Sequence, residues 1–155
     1  MKKYLVLFLS ALMPIVTNAD DSYVDLGLPS GLLWATCNLG ATSPEEVGYY
    51  YAWGETSSRS FFSSGNYYYN NNYITLYDIS GTEYDAATFE LGGTWRMPKK
   101  SELEELSQNC SRSETTINGM VCMILTGPNG NTLIIPRGGL VKELGCQIVT
   151  RHRKV

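Results

Sequence analysis

The side chains of this chain that could take part in chemistry are mostly aromatic or acidic, and catalytic bases are scarce. The single histidine, His152, lies in the C-terminal tail, so a Ser-His-Asp or Cys-His arrangement would have to be built around that tail. Acidic residues are common, yet no spacing singles out two carboxylates for glycoside hydrolysis. We therefore expect no catalytic residues and no enzymatic activity.

An aromatic, amide-rich stretch over residues 57–73 offers the best candidate binding residues. Its composition is typical of a long surface loop. Tyrosine combines a large apolar face with a polar tip, and the neighbouring Asn and Ser side chains add adaptable hydrogen bonds. The alternative is a connecting loop that binds nothing. The predicted binding residues are Tyr67, Tyr68, Tyr69 and Tyr73.

The tryptophans Trp34, Trp53 and Trp95 each lie in a short apolar segment. Large aromatic side chains in such segments usually belong to the interior of a domain. We predict that all three are core residues. A platform that binds a ligand is the alternative.

Charged residues after the loop are predicted to have structural roles. Arg96 is expected to pair with a nearby acid such as Glu102 or Glu105 and so to fix the chain path. The alternative partner is a ligand carboxylate. Four acids, Asp78, Glu83, Asp85 and Glu90, lack the spacing of a calcium loop and are expected to be solvated. We predict no metal site and no cofactor.

The N-terminus has the order of features found in a secretory signal peptide. Lys2 and Lys3 precede an apolar run over residues 4–16, and residues 17–19 place small side chains at a cleavage site. The run is short for a membrane span, and a buried helix is the alternative. We predict a signal peptide at 1–19, a mature chain from Asp20, and a location outside the cell, at its surface or in the periplasm.

The rest of the chain is expected to form one domain of ordinary size. The formal net charge is -3, and removal of two lysines with the signal makes it more acidic, so we expect no binding to nucleic acid or to membranes. In an oxidising compartment four cysteines permit two disulfides, with buried thiols as the alternative. They are Cys37, Cys110, Cys122 and Cys146, and no C-x-x-C pair supports a zinc site.

Turn and capping patterns predict short helices and strands. Helices are expected after capping signals, most clearly at Ser101 with Glu104. Their ranges are about 43–47, 85–89 and 101–109. Strands are expected where β-prone residues lie between turns. Their ranges are 23–26, 32–37, 49–53, 120–125 and 131–135. This order is typical of an α+β fold with mostly antiparallel strands.

Five motifs are spread over most of residues 23–136. They are the segment 23–41, Tyr-Ala-Trp-Gly-Glu at 51–55, Asp-Ala-Ala-Thr at 85–88, Trp-Arg-Met-Pro at 95–98 and Gly-Pro-Asn-Gly-Asn at 127–131. Jointly they resemble the Fibrobacter major paralogous domain, a family of exported bacterial modules related to C-type-lectin-like and formylglycine-generating-enzyme folds. The resemblance implies a C-type-lectin-like module at 20–136.

The chain departs from this family at two places in particular. Lys99 stands where the family usually has a Thr helix cap, and Leu103 where it usually has Trp. After Pro136 the family continues into an aromatic segment and a terminal strand, which the divergent tail at 137–155 does not match. The resemblance therefore implies a fold that is incomplete at its C-terminus, with an open sheet edge at the strands before Pro136.

The resemblance also bears on pairing and function. Cys37 and Cys110 match positions where the family often has Cys, which makes them the candidate disulfide. We expect an exported, non-catalytic module for binding or surface display, with an unidentified glycan or protein as ligand and with self-association through the open edge. Two alternatives remain: a truncated remnant that has no function or needs a partner, and an oxidase of the formylglycine-generating type.

Overall fold

The structure, a computed structural model, describes residues 23–63, 65–70, 74 and 76–138. The predicted signal peptide, Tyr73 and the tail from 139 onward lie outside the described residues. The described elements are β1 (Tyr23–Asp25), β2 (Leu33–Ala35), a 3₁₀ turn (Tyr68–Asn70), α1 (Ala86–Leu91), α2 (Lys100–Asn109), β3 (Ser111–Ile117), β4 (Met120–Thr126) and β5 (Thr132–Pro136).

The strands form two small antiparallel sheets. β1 pairs with β2, and β3, β4 and β5 form a three-stranded sheet in chain order. In the first hairpin, Gly31 closes the turn by donating its N–H to the Leu28 carbonyl at 2.9 Å. Small antiparallel sheets combined with short helices make this a mixed α+β fold.

The turn between β4 and β5 fastens the two sheets to each other. Asn129 and Asn131 donate side-chain N–H groups to the Asp25 carbonyl at the end of β1, at 2.9 and 2.8 Å. Gly127 lies so close to the Leu26 carbonyl that a side chain at this position would collide with it. The turn is therefore a contact between the sheets as well as a hairpin connection.

The interior contains two clusters of buried apolar side chains. The first cluster surrounds the fully buried Trp34 and joins both sheets to α2. Its members include Leu26, Leu106, Leu125, Leu133 and Ile135. The second cluster lies against α1 and supports the site described below. Its members include Tyr51, Ile79, Ala86, Ala87 and Met97.

Two local predictions upstream of the loop are wrong. Residues 43–47 form a turn and not a helix. The Glu46 carboxylate accepts the N–H groups of Thr42 and Ser43 at 2.7 and 3.3 Å, as the predicted cap requires, but Gly48, with a φ of 73°, follows before a helical turn can be completed. Residues 49–53 form no strand, although Tyr51 packs into the second cluster.

Helix α2 starts at Lys100 and not at the predicted Ser101 cap. Lys99 is the N-cap residue, and its N–H donates to the Glu102 carboxylate at 2.6 Å. This is the glutamate half of a capping box. Lys99 cannot supply the other half, because an ammonium group has no acceptor.

Candidate functional site

A surface groove of about 620 Å³ lies between two loops and the start of α2. Its apolar lining includes Trp53, Tyr77, Ile79, Met97 and Leu103. Ile79 and Met97 are buried members of the second cluster, whereas Trp53 is 39% exposed and Tyr77 is fully exposed. A concave site of this size can hold a small molecule or a short segment of a polymer.

Both lysines at the groove lie close to a carboxylate. Lys99 Nζ lies 3.4 Å from Asp78 Oδ2, and both side chains are about half exposed. Lys100 Nζ lies 3.6 Å from Glu104 Oε1, one helical turn further along α2. The groove lining therefore includes one carboxylate and two ammonium groups, and each ammonium lies within 4 Å of a carboxylate.

Asp85 holds two walls of the groove in place. This carboxylate is fully buried and accepts four backbone N–H groups. Two belong to the first turn of α1, at Ala87 and Thr88. The other two belong to Gly81, at 2.7 Å, and to Met97, at 2.8 Å. Gly81 directly follows the groove residue Ser80, and Met97 itself lines the groove. The expectation that Asp85 is solvated is wrong, because its side chain is fully buried and these four N–H groups take the place of water.

Arg96 connects one groove loop to α2. Its guanidinium meets both oxygens of Glu102, at 2.6 and 3.0 Å, in a bidentate pair. It also donates to Ser80 Oγ at 2.7 Å and to the Met97 carbonyl at 3.1 Å. Arg96 therefore has a structural role in the arrangement seen here, with its donors directed at protein groups.

Of the tyrosines predicted to bind a ligand, Tyr67 and Tyr68 anchor their loop to the chain around Trp53. Tyr67 donates its hydroxyl to the Trp53 carbonyl at 2.9 Å, and burial together with the Glu55 charge raises the pKa of Tyr67. The backbone N–H of Tyr68 donates to the buried Glu55 carboxylate at 2.7 Å. The loop in this region is therefore attached to the protein through specific contacts.

The other tyrosines have different surroundings. Tyr69 packs edge-on against Tyr68 and Tyr84, with ring centroids 4.9 and 5.8 Å apart. The Tyr68 side chain is mostly exposed. Tyr73 lies outside the described residues. Tyr67, Tyr68 and Tyr69 are brought together, but none of them lines the groove.

The three tryptophans do not share one environment. Trp34 and Trp95 are buried, but the prediction that Trp53 is a core residue is wrong. Next to it, Gly54 has a φ of 76° and packs directly against Ile74. The Trp53 side chain lines the groove instead. The spacing of aromatic residues in the sequence predicted neither the exposure of Trp53 nor the position of Tyr77 in the groove.

The candidate disulfide between Cys37 and Cys110 does not form in the structure. Cys37, Cys110 and Cys122 are free thiols, and Cys146 lies outside the described residues. Cys110 is buried in the Trp34 cluster, and this burial raises its pKa. Cys37 is only partly buried, and its sulfur lies 3.9 Å from Thr36 Oγ1. The two cysteines are thus held in different surroundings.

Two further features concern the described residues alone. Within residues 23–63, 65–70, 74 and 76–138, no group of three or more His, Cys, Asp or Glu side chains is placed to hold a metal ion. In the same ranges no helix has the length and apolar character that would let it cross a bilayer.

Comparisons with known proteins found no relative of this chain. No family model matches the chain, and no match was found among curated proteins or solved structures.

Proposed function

We propose that this protein is an exported, non-catalytic binding module of C-type-lectin-like fold, and that its ligand, a glycan or a protein segment, occupies the groove beside Trp53. Support for export comes from the N-terminal sequence. Support for the fold comes from the five motifs together with the α+β arrangement of small antiparallel sheets. The acidic balance of the chain argues against nucleic acid as the ligand.

The observation that carries the proposal is the pair of exposed aromatic side chains at one concave site. Single exposed apolar residues are common, but Trp53 and Tyr77 share a groove with a buried apolar floor. Aromatic side chains of this kind dominate binding energies at interfaces. Asp85 and Arg96 hold the surrounding loops, so the groove is formed before a ligand arrives.

A binding screen tests this function directly. The purified protein is applied to arrays of glycans and of peptides, alongside Trp53→Ala and Phe89→Ala. Phe89 is also aromatic and is more exposed than Trp53, but it lies on α1, outside the groove. We expect the Trp53→Ala variant to lose binding and the Phe89→Ala variant to keep it. The absence of any bound ligand, or an equal loss in both variants, would contradict the proposal.

Self-association is a second candidate, supported by the three-stranded sheet. β3 is an edge strand of that sheet, and six of its seven residues are exposed. The resemblance pointed to an edge at the strands before Pro136, and β5 is the other edge strand of this sheet in the described residues, with buried side chains at Leu133, Ile135 and Pro136. We place the candidate contact at β3 because its exposed side chains can reach a partner strand.

A further inference from the structure

We infer that the ligand of the groove is an uncharged saccharide, whose sugar ring stacks on Trp53 and Tyr77 while its hydroxyls bind the Asp78–Lys99 pair. This inference rests on the proposed function and names the chemical class of its ligand. It follows from the aromatic surfaces, from the charges and from the shape of the walls.

The aromatic surfaces suit the apolar face of a sugar ring. Trp53 and Tyr77 present exposed aromatic area on the same groove, above the buried side chains of Ile79 and Met97. The C–H groups on one face of a pyranose carry a partial positive charge, and the π face of an aromatic ring is negative. Stacking of this kind buries apolar area from both partners while the hydroxyls at the ring edge stay free to form hydrogen bonds.

The charges favour a neutral ligand over an anionic one. A phosphate or a sugar acid is normally held by unpaired Arg or Lys side chains. At this groove Lys99 is paired with Asp78, and Lys100 with Glu104. The Arg96 guanidinium, the group best suited to hold an anion, is engaged by both oxygens of Glu102, so an anion at the groove would have only the two exposed lysines, each already close to a carboxylate.

The Asp78–Lys99 pair matches the hydrogen-bonding character of sugar hydroxyls. One carboxylate oxygen of Asp78 accepts the Ser80 N–H at 3.0 Å, and the other lies 3.4 Å from the Lys99 ammonium. The pair thus presents an acceptor and a donor side by side. Each hydroxyl of a vicinal diol can donate and accept, so one hydroxyl donates to Asp78 while its neighbour accepts from Lys99. Since both side chains are about half exposed, their own attraction is weak and their rearrangement costs little.

The walls of the groove argue against a peptide ligand. Extended peptides are commonly bound by adding a strand to a free sheet edge. The residues that line this groove come from loops and from the first residues of α2, and none belongs to a described strand. The polar contacts at the groove therefore come from side chains and not from the backbone of a strand. Side-chain contacts of this kind suit the hydroxyl groups of a saccharide.

The test measures binding by calorimetry and by tryptophan fluorescence. The probes are three: a panel of neutral oligosaccharides of differing linkage, an oligogalacturonate as the acidic counterpart, and a proline-rich peptide. Trp53 is the exposed tryptophan of the described chain, so a bound ring should shift its emission. We expect at least one neutral oligosaccharide to bind, with an affinity that depends little on salt.

The variants locate the contact. Trp53→Ala and Tyr77→Ala should each weaken binding on the order of tenfold, the size of one lost aromatic contact. Asp78→Asn should also weaken binding, whereas Phe89→Ala should not, and thermal unfolding checks that each variant is folded. Binding of only the acidic oligosaccharide or only the peptide, sensitive to Trp53→Ala, would overturn this inference and leave the proposed function intact. No binding by any probe class, or binding insensitive to both aromatic variants, would overturn both.

Discussion

Replacement of Asp85 is expected to destabilise the fold strongly. Its carboxylate is fully buried and accepts four N–H groups from three separate stretches of chain. Asp85→Ala leaves these donors buried without an acceptor, so we expect the free energy of unfolding to fall by about 3 kcal/mol or more. Urea denaturation measures this change. Glu83→Ala, which removes an exposed carboxylate two residues away, should change it by less than about 0.5 kcal/mol. Similar values for the two variants would show that the donors find other partners.

Tyr51 should make the protein sensitive to alkali. Burial, with a contribution from the nearby Glu90 charge, raises the pKa of Tyr51 from 10.0 to about 12. The unfolded chain therefore releases this proton at lower pH than the folded chain does. Stability that is fully present below pH 10 is consequently lost as the pH rises from about 10 towards 12.

Tyr51→Phe removes the proton and should reduce the slope of stability against pH over that interval. The slope should not vanish, because burial also raises the pKa of Tyr67 and Tyr69. The matched control is Tyr77→Phe, in which the hydroxyl removed is fully exposed. Denaturant unfolding at a series of alkaline pH values makes the measurement. An unchanged slope in Tyr51→Phe would contradict the assignment.

Single residues show where sequence reasoning stops. The pairing of Arg96 with a nearby acid could be anticipated, since Glu102 is close in sequence and the two charges are complementary. The burial of Asp85 could not, because its donors at Gly81 and Met97 meet it only through tertiary contacts. Trp53 lies in the same kind of short apolar segment as the buried Trp34 and Trp95, yet it is 39% exposed. Composition carries no information about such contacts.

Among the elements, α2 has a defect at its start that substitution can test. Lys99 is the N-cap residue and has an extended backbone, with φ -75° and ψ 159°, but its side chain cannot accept an N–H from the first turn. Lys99→Thr supplies such an acceptor, and Lys99→Val has nearly the same shape without it. Both variants lose the Asp78 ion pair equally, so their difference isolates the cap.

We expect Lys99→Thr to be more stable than Lys99→Val by about 1 kcal/mol, the usual size of an N-cap hydrogen bond. Thermal or urea unfolding of the two variants side by side gives the value. Equal stabilities would mean that the Glu102 half of the capping box already satisfies the start of the helix.

Elements with strong local signals could be predicted, and those without could not. The first hairpin, α1 and α2 agree with the predictions to within a few residues, because turn and capping residues act locally. β3 was missed: its sequence Ser-Arg-Ser-Glu-Thr-Thr-Ile is mostly polar, and the strand is held by pairing with β4 over its whole length. The segment 49–53 had β-prone residues but found no partner strand.

At the scale of the whole molecule, the groove and the β3 edge are separate surfaces, and we propose a different partner for each. The groove is built from loops and the start of α2, whereas β3 lies in the three-stranded sheet. In the described residues β3 pairs with β4 along one edge only. A regular seven-residue strand without a bulge is a ready template for another strand.

The charges on β3 indicate which strand would fit. Arg112 and Glu114 lie two residues apart and so on the same face of the strand. If a second copy pairs antiparallel about Ser113, Arg112 of each chain lies opposite Glu114 of the other. In the single chain Arg112 contacts Ser107 and Glu114 contacts Arg137, but these groups are exposed and such contacts are weak. A symmetric dimer of this protein is therefore the expected occupant of the edge.

Charge exchange on β3 tests this dimer. Arg112→Glu alone places like charges opposite each other twice in the symmetric pair, which should weaken association on the order of tenfold. The double variant Arg112→Glu with Glu114→Arg restores both attractive pairs in the dimer, although it removes the Glu114 contact with Arg137 within the chain. Association is measured by analytical ultracentrifugation over a wide range of concentration, with urea unfolding to confirm that each variant is folded. We expect the native protein and the double variant to dimerise and the single variant to remain monomeric at the same concentration. A native protein that is monomeric throughout, or a double variant no better than the single one, would show that β3 does not pair with a second copy in this register.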